Sequence, residues 1–170
     1  MILPARQTLH EPLVFECLQP EQLDALAHRA ETRLLEPGEI LFAQGAADAT
    51  LYVVASGIVE VTRETETSST VTLGCLGAGE YIGEICLLTG APHAATARAR
   101  THCYIHQLSR DAIEPLMAAN AEMAAAFDKS VRRGLDILQR SVAARAAENV
   151  GAQGQLLQRI RAFFHFRPAE

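Results

Sequence analysis

The stretch LYVVASGIVEVTR, Leu51 to Arg63, carries two apolar patterns on either side of a Ser-Gly pair. Leu51-Tyr52-Val53-Val54 is an unbroken apolar run, whereas Ile58-Val59-Glu60-Val61-Thr62-Arg63 alternates with period two. β-Branched and aromatic residues in short runs, separated by residues that tolerate tight turns, read as strands. The spacing predicts two strands joined by a tight turn at Ser56-Gly57.

The same pattern continues outward. Pro37-Gly38 is a turn signal, Glu39-Ile40-Leu41-Phe42 a strand, and Gln44-Gly45-Ala46 its end. On the other side, the polar run Glu64 to Thr70 reads as a loop tip, Val71-Thr72-Leu73 as a strand and Gly77-Ala78-Gly79 as a turn that runs on through Glu80-Tyr81-Ile82. Thr96 to Arg100 and Cys103 to Leu108 supply further strands. Short strands at this close spacing predict a mainly β fold with flanking helices, a jelly roll or double-stranded β-helix.

Helical periodicity flanks this core. Gln7 to Arg33 reads as helical, with Pro20-Glu21 opening a segment that places Leu23, Leu26, Ala27 and Ala30 on one face. Ser109 or Asp111 is positioned to cap a short helix bearing Ile113, Leu116 and Met117. A longer helix is predicted from about Ala121, with a stripe of Met123, Phe127, Val131, Leu135, Leu138 and Val142. Asn149-Val150-Gly151-Ala152 interrupts it, and Leu156, Leu157, Ile160, Phe163 and Phe164 form a last amphipathic patch beside Arg159, Arg161 and Arg167. The expected organisation is an N-terminal helical segment at 1–33, a jelly-roll core at 34–108, C-terminal helices at 109–148 and a basic tail at 149–170.

The 170 residues carry a net charge of −5. From Asp128 onward there are eight Lys/Arg against four Asp/Glu, and the first 127 residues hold seven against sixteen, so +4 and −9 sum to −5. An acidic core argues against nucleic acid as a partner, and the basic tail reads as a solvated helix face. Cys17, Cys75, Cys86 and Cys103 show no C-x-x-C pair or zinc spacing, so they are expected as reduced thiols, with no metal site. No apolar run approaches the ~20 residues of a membrane helix. No pair of residues forms a catalytic dyad, and His10, His28, His102, His106 and His165 are scattered as surface or packing residues.

Chemistry concentrates in GEICLLTGAPHAATA, Gly83 to Ala97. Leu87-Leu88-Thr89-Gly90 reads as one short helical turn, whose free N–H groups suit an anion. The Glu84 carboxylate repels phosphate but accepts hydrogen bonds from hydroxyls such as those of a ribose. A sugar phosphate suits that combination. An ordinary turn with a surface carboxylate suits it equally, and the residues alone leave both readings open.

From about Leu18 to Leu138 the chain resembles the cyclic nucleotide-binding domain family. The resemblance is carried by Pro37-Gly38-Glu39, Gln44-Gly45, Leu51 to Gly57, Gly79-Glu80-Tyr81-Ile82-Gly83-Glu84, Leu87-Leu88 and Pro92-His93-Ala94-Ala95-Thr96. It implies that the segment after Gly83 is a phosphate-binding cassette. Gly83, Ile85 and Cys86 then offer backbone groups to a cyclic nucleotide, cAMP or cGMP, and Glu84 takes the ribose 2′-hydroxyl. His93 falls where the family places an arginine that pairs with the cyclic phosphate, and Ala94 occupies the small or hydroxylated position beside it.

Arginine offers a permanent charge and a planar fork, whereas a neutral histidine donates one hydrogen bond. Three readings of His93 stand: a weaker, pH-sensitive phosphate ligand; a domain that keeps the fold without the ligand, as a structural or interaction module; and a site for another small anion. The resemblance further implies that the helix from Phe127 to Val142 is a lid over the base, with Arg132, Arg133 and Leu135 as candidates to face it; the stripe alone equally suits plain packing against the barrel or a dimer partner.

About thirty residues follow the lid, and they contain no helix-turn-helix. The spellings at Leu51–Gly57, Gly83–Thr96 and Ile160–Phe164 look most like the cytoplasmic C-terminal domain of bacterial cyclic-nucleotide-gated, mechanosensitive-like channels. On that likeness, Pro4-Ala5-Arg6-Gln7 reads as a start just after a membrane-attached part. The expected partners are the cyclic nucleotide, a channel portion of a longer chain, and a second copy through the C-terminal helices. The expected location is cytoplasmic, at the inner membrane.

Overall fold

A computed structural model describes residues 5–9, 12–65 and 69–147. Two four-stranded antiparallel sheets face one another. The first has the order β1 (Glu31–Leu35), β8 (Cys103–Ser109), β3 (Thr50–Ser56) and β6 (Tyr81–Ile82). The second has the order β2 (Ile40–Phe42), β7 (Thr96–Ala99), β4 (Val59–Glu64) and β5 (Thr70–Leu76). This is the predicted jelly roll.

The opening stretch explains why two layers form. β3 is buried on both faces. Tyr52 and Val54 point between the sheets with Leu35, Phe42, Val59, Val61 and Ile105. Leu51 and Val53 point the other way, into a second core with Leu26, Leu108, Ile113 and Phe127. A strand with no solvent face reads as a continuous apolar run. β4 has one wet face, so it buries Val59 and Val61 and leaves Glu60 and Thr62 partly open.

The Ser56-Gly57 turn is a corner and not a hairpin within one sheet. It carries the chain from the first sheet to the second, where β4 pairs with β5 and β7. Gly57 has φ 91°, and a Cβ there would lie 2.3 Å from the His102 carbonyl oxygen. Only glycine fits such a crossing.

The N-terminal region is less continuously helical than the periodicity suggests. α1 (Ala5–Thr8), a 3-10 turn at Leu13–Phe15 and α2 (Pro20–Arg29) precede β1, which opens at Glu31, so Glu31–Arg33 belong to a strand. Apolar periodicity marks the buried face in either state, and the antiparallel pairing of Glu31 to Leu35 with β8 decides between them.

α4 (Arg110–Ala119) and α5 (Ala121–Ala147) follow β8. Asn120 joins them: its Oδ1 accepts from the Glu122 and Met123 amides at the start of α5, and its Nδ2 donates to the Cys17 carbonyl. Met123, Phe127 and Val131 are buried, and the Phe127 ring meets Phe15 edge-on at 6.2 Å. Beyond them the stripe turns outward, with Leu135 41 % exposed. The Val142 side chain, the interruption at 149–152, and Leu156, Leu157, Ile160, Phe163, Phe164 and the tail arginines lie outside the described residues.

Phe127 is 0 % exposed and joins the base of α5 to both the 3-10 turn and the first sheet. Phe127→Ala is expected to cost about 3–5 kcal/mol by emptying that site. Urea unfolding of the whole chain checks it.

Candidate functional site

β6 ends at Ile82, and the chain turns sharply at Gly83 into α3 (Glu84–Thr89). Gly83 has φ 103°, and a Cβ there would sit 2.5 Å from the Thr50 carbonyl oxygen of β3. Absence of a side chain therefore lets α3 start against the central strand. α3 begins three residues before the predicted helical turn at Leu87, so Glu84, Ile85 and Cys86 form its first turn. An Arg110 Nη2–H on α4 donates to the Leu87 carbonyl and holds the other end of the cassette.

The chain then returns through Ala91-Pro92-His93 to β7. Here it is gripped by the loop after β2. The Gly45 amide donates to the His93 carbonyl and the His93 amide to the Ala46 carbonyl, each at 2.8 Å. The His93 side chain is buried, stacked on Phe42 with ring centroids 3.7 Å apart and planes 13° apart. Its Nε2 lies 3.0 Å from Asp48 Oδ2, an atom that also accepts from the Tyr52 hydroxyl at 3.2 Å. Asp48 Oδ1 accepts from the Thr50 amide.

These elements enclose one pocket, with about 540 Å³ of space counting its open mouth. All six candidate residues, Gly83, Glu84, Ile85, Cys86, His93 and Ala94, line it. Thr96 lies just beyond, on β7, and its hydroxyl accepts from the Gln44 amide. The remaining walls are Phe42, Val61, Leu73, Ile82 and Ala95 from the barrel and Gly134 and Leu138 from α5.

α5 borders the pocket, but it presents other residues than those expected. Arg132 bonds Asp128 in solvent, Arg133 is exposed and Leu135 points outward; none of the three lines the pocket. Gly134 faces the cassette instead, where a Cβ would come within 2.9 Å of Ile85 Cδ1 and 3.5 Å of Glu84 Oε1. A glycine inside a helical run is the signal that marks such a close approach. The Tyr81 hydroxyl donates to Ser130 Oγ at 3.1 Å and ties the lid to β6. Asp48 and Phe42 carried no functional signal in the sequence, because one aspartate in a short polar loop and one strand phenylalanine are commonplace.

Electrostatically the pocket is acidic. Burial pushes the Glu84 carboxyl up, opposed in part by hydrogen bonds from its own amide and that of Gly83. Burial, reinforced by the Asp48 and Glu84 carboxylates, pushes the Cys86 thiol up to about 11, which removes it as a nucleophile. Burial and Asp48 likewise raise Tyr52 to about 12. Among the described residues no group of acidic, cysteine and histidine side chains could hold a metal ion, and no helix is long and apolar enough to cross a membrane.

An ionised Glu84 therefore costs the fold stability. Its raised carboxyl contributes stability below the ordinary value of 4.5, and that contribution is lost as pH rises through the folded value. Glu84→Gln is expected to raise the urea midpoint at pH 7–8, with the advantage shrinking as pH falls toward 4.5. Paired unfolding curves at pH 5 and pH 8 measure it; equal midpoints at pH 8 would contradict it.

A family model for the cyclic nucleotide-binding domain matches residues 32–120. The cAMP-dependent protein kinase regulatory subunit of Yarrowia lipolytica is 31% identical over 109 residues, covering 64% of this chain and 28% of that protein. The mouse potassium/sodium hyperpolarization-activated cyclic nucleotide-gated channel 3 is 26% identical over 152 residues, covering 89% of this chain and 17% of the channel. This chain thus spans less than a third of the length of either relative. The catabolite activator protein of Thermus thermophilus superposes with a TM-score of 0.68 at 28% identity, over 78% of this chain and 62% of that one. With the jelly roll, the glycine-started cassette and the matched residues in agreement, the chain belongs to the cyclic nucleotide-binding domain family.

Proposed function

We propose that this chain is a ligand-sensing regulatory domain that binds a cyclic nucleotide, cAMP or cGMP, in the pocket between the cassette and α5. The observation that carries the reading is the convergence of Gly83, Glu84, Ile85, Cys86, His93 and Ala94 on one pocket with a lid helix as a wall. Glu84 accepts the ribose hydroxyl, the first amides of α3 and the His93 ring meet the phosphate, and the apolar walls take the base. The ligand touches Gly134 and Leu138, so it favours one lid position over another and shifts the population of α5 states.

The output we propose is the gating of a membrane channel or transporter at the inner face of a membrane. The similarity to the cyclic nucleotide-gated channel supports this, since it extends over 152 residues and so beyond the jelly roll. One observation favours a second reading, in which the domain acts as an interaction module without ligand. His93 is stacked on Phe42 and bonded to Asp48, as a satisfied core histidine would be.

Calorimetric titration with cAMP and cGMP separates the two. Saturable binding of either nucleotide is expected. His93→Arg is expected to tighten it by about ten- to a hundredfold, because a charge-assisted fork replaces a single ring donor. No heat from either nucleotide, in the wild type or in His93→Arg, would leave the interaction module as the reading.

A further inference from the structure

The ring of His93 is held through one nitrogen. Nε2 faces Asp48 Oδ2 at 3.0 Å. That oxygen already accepts from Tyr52, and Asp48 Oδ1 accepts from Thr50. An ionised carboxylate accepts and cannot donate, so the shared proton sits on Nε2. In an uncharged imidazole, Nδ1 is then a bare acceptor. Among the described residues Nδ1 has no hydrogen-bond partner, it is not among the sealed polar atoms, and the ring lines the pocket.

We infer that Asp48 is a positioning residue that fixes His93 as the Nε2–H tautomer, so that a cyclic phosphate enters the pocket together with a proton. The inference rests on the cyclic nucleotide reading of the site. An uncharged His93 turns a lone pair toward a phosphate oxygen and opposes it. Once a solvent proton is placed on Nδ1, the ring donates to Asp48 on one side and to the phosphate on the other, and both bonds are charge-assisted.

Among the described residues lining the pocket there is no other side chain that could carry positive charge. The titratable groups facing His93 are Asp48 from the loop after β2, Tyr52 from β3, and Glu84 and Cys86 from α3. Phe42 of β2, Ala94 and Ala95 leading into β7, and Gly134 and Leu138 of the lid do not titrate. No lysine or arginine is among the described residues lining the pocket. Asp48 thus does more than hold a ring in place, because it decides which nitrogen the ligand meets.

Two measurements on the whole chain test this. The first is 15N NMR of the histidine rings without ligand at pH 8, with the His93 signal identified by its loss in His93→Gln. The wild type is expected to show Nε2 protonated and Nδ1 bare, and Asp48→Asn to shift His93 toward a mixture, since an asparagine amide can donate to Nε2 as well as accept from it. An Nδ1–H tautomer in the wild type overturns the inference whether or not any ligand binds. The second is cAMP titration at several pH values in buffers of different ionisation enthalpy. The wild type is expected to take up about one proton per ligand and to lose affinity by up to about tenfold per pH unit on the basic side. Asp48→Asn and His93→Arg are expected to bind with a flatter pH profile and less proton uptake. Tight binding whose heat is independent of buffer overturns the inference and leaves the proposed function standing. Absence of binding in all variants overturns the proposed function, with the tautomer still judging the role of Asp48.

Discussion

Strand β3 has no solvent face, and both the barrel and the site depend on it. One side closes the inter-sheet core through Tyr52 and Val54, and the other carries the helices through Leu51 and Val53. Its first turn also builds the site. The Thr50 carbonyl is the surface against which Gly83 fits, the Thr50 amide holds Asp48, and the Tyr52 hydroxyl shares Asp48 with His93. A change in the position of β3 would move the cassette, the histidine and the base of the lid together. The polar groups are therefore held by the most deeply buried strand, which keeps their geometry rigid.

The lid has two parts with different attachments. Its base is packed into the second core by Met123 and Phe127 and bonded to the N-terminal region through Asn120 and Cys17. Past Phe127 its attachments include the Tyr81–Ser130 hydrogen bond and the seating of Gly134 against Ile85 and Glu84. The base of the helix is thus anchored in the core while its later turns border the pocket. Arg110 holds the cassette from the other side, since it begins α4 and donates to the Leu87 carbonyl.

Much of this architecture was legible because burial writes itself into apolar spacing. The unbroken run at Leu51–Val54 and the alternation at Ile58–Arg63 correspond to a strand wet on neither face and a strand wet on one. The cassette residues were found through a family spelling, and the structure brings them to one pocket. What the spelling did not carry was the phase of the lid. Large and charged residues draw attention, so Arg132, Arg133 and Leu135 stood out, while the pocket is met by Gly134, the residue between them, and by Leu138 one turn on. The Ser56-Gly57 corner was legible as a turn but not as a change of sheet, because pairing partners distant in sequence set that. Asp48 was silent for the same reason: its meaning lies in a contact with a residue 45 positions away.

The exchange of arginine for histidine alters the balance of the empty pocket as well as the filled one. An arginine in this place keeps a permanent charge whether or not an anion is present. His93 is held in place without one, through the Phe42 ring on its face and Asp48 at its edge. A buried group with its hydrogen bond made costs little, so the ligand-free barrel is not left with an unmet cation. On the proposed reading the corresponding demand falls on the ligand, whose phosphate would have to compete in a pocket already bordered by the Asp48 and Glu84 carboxylates.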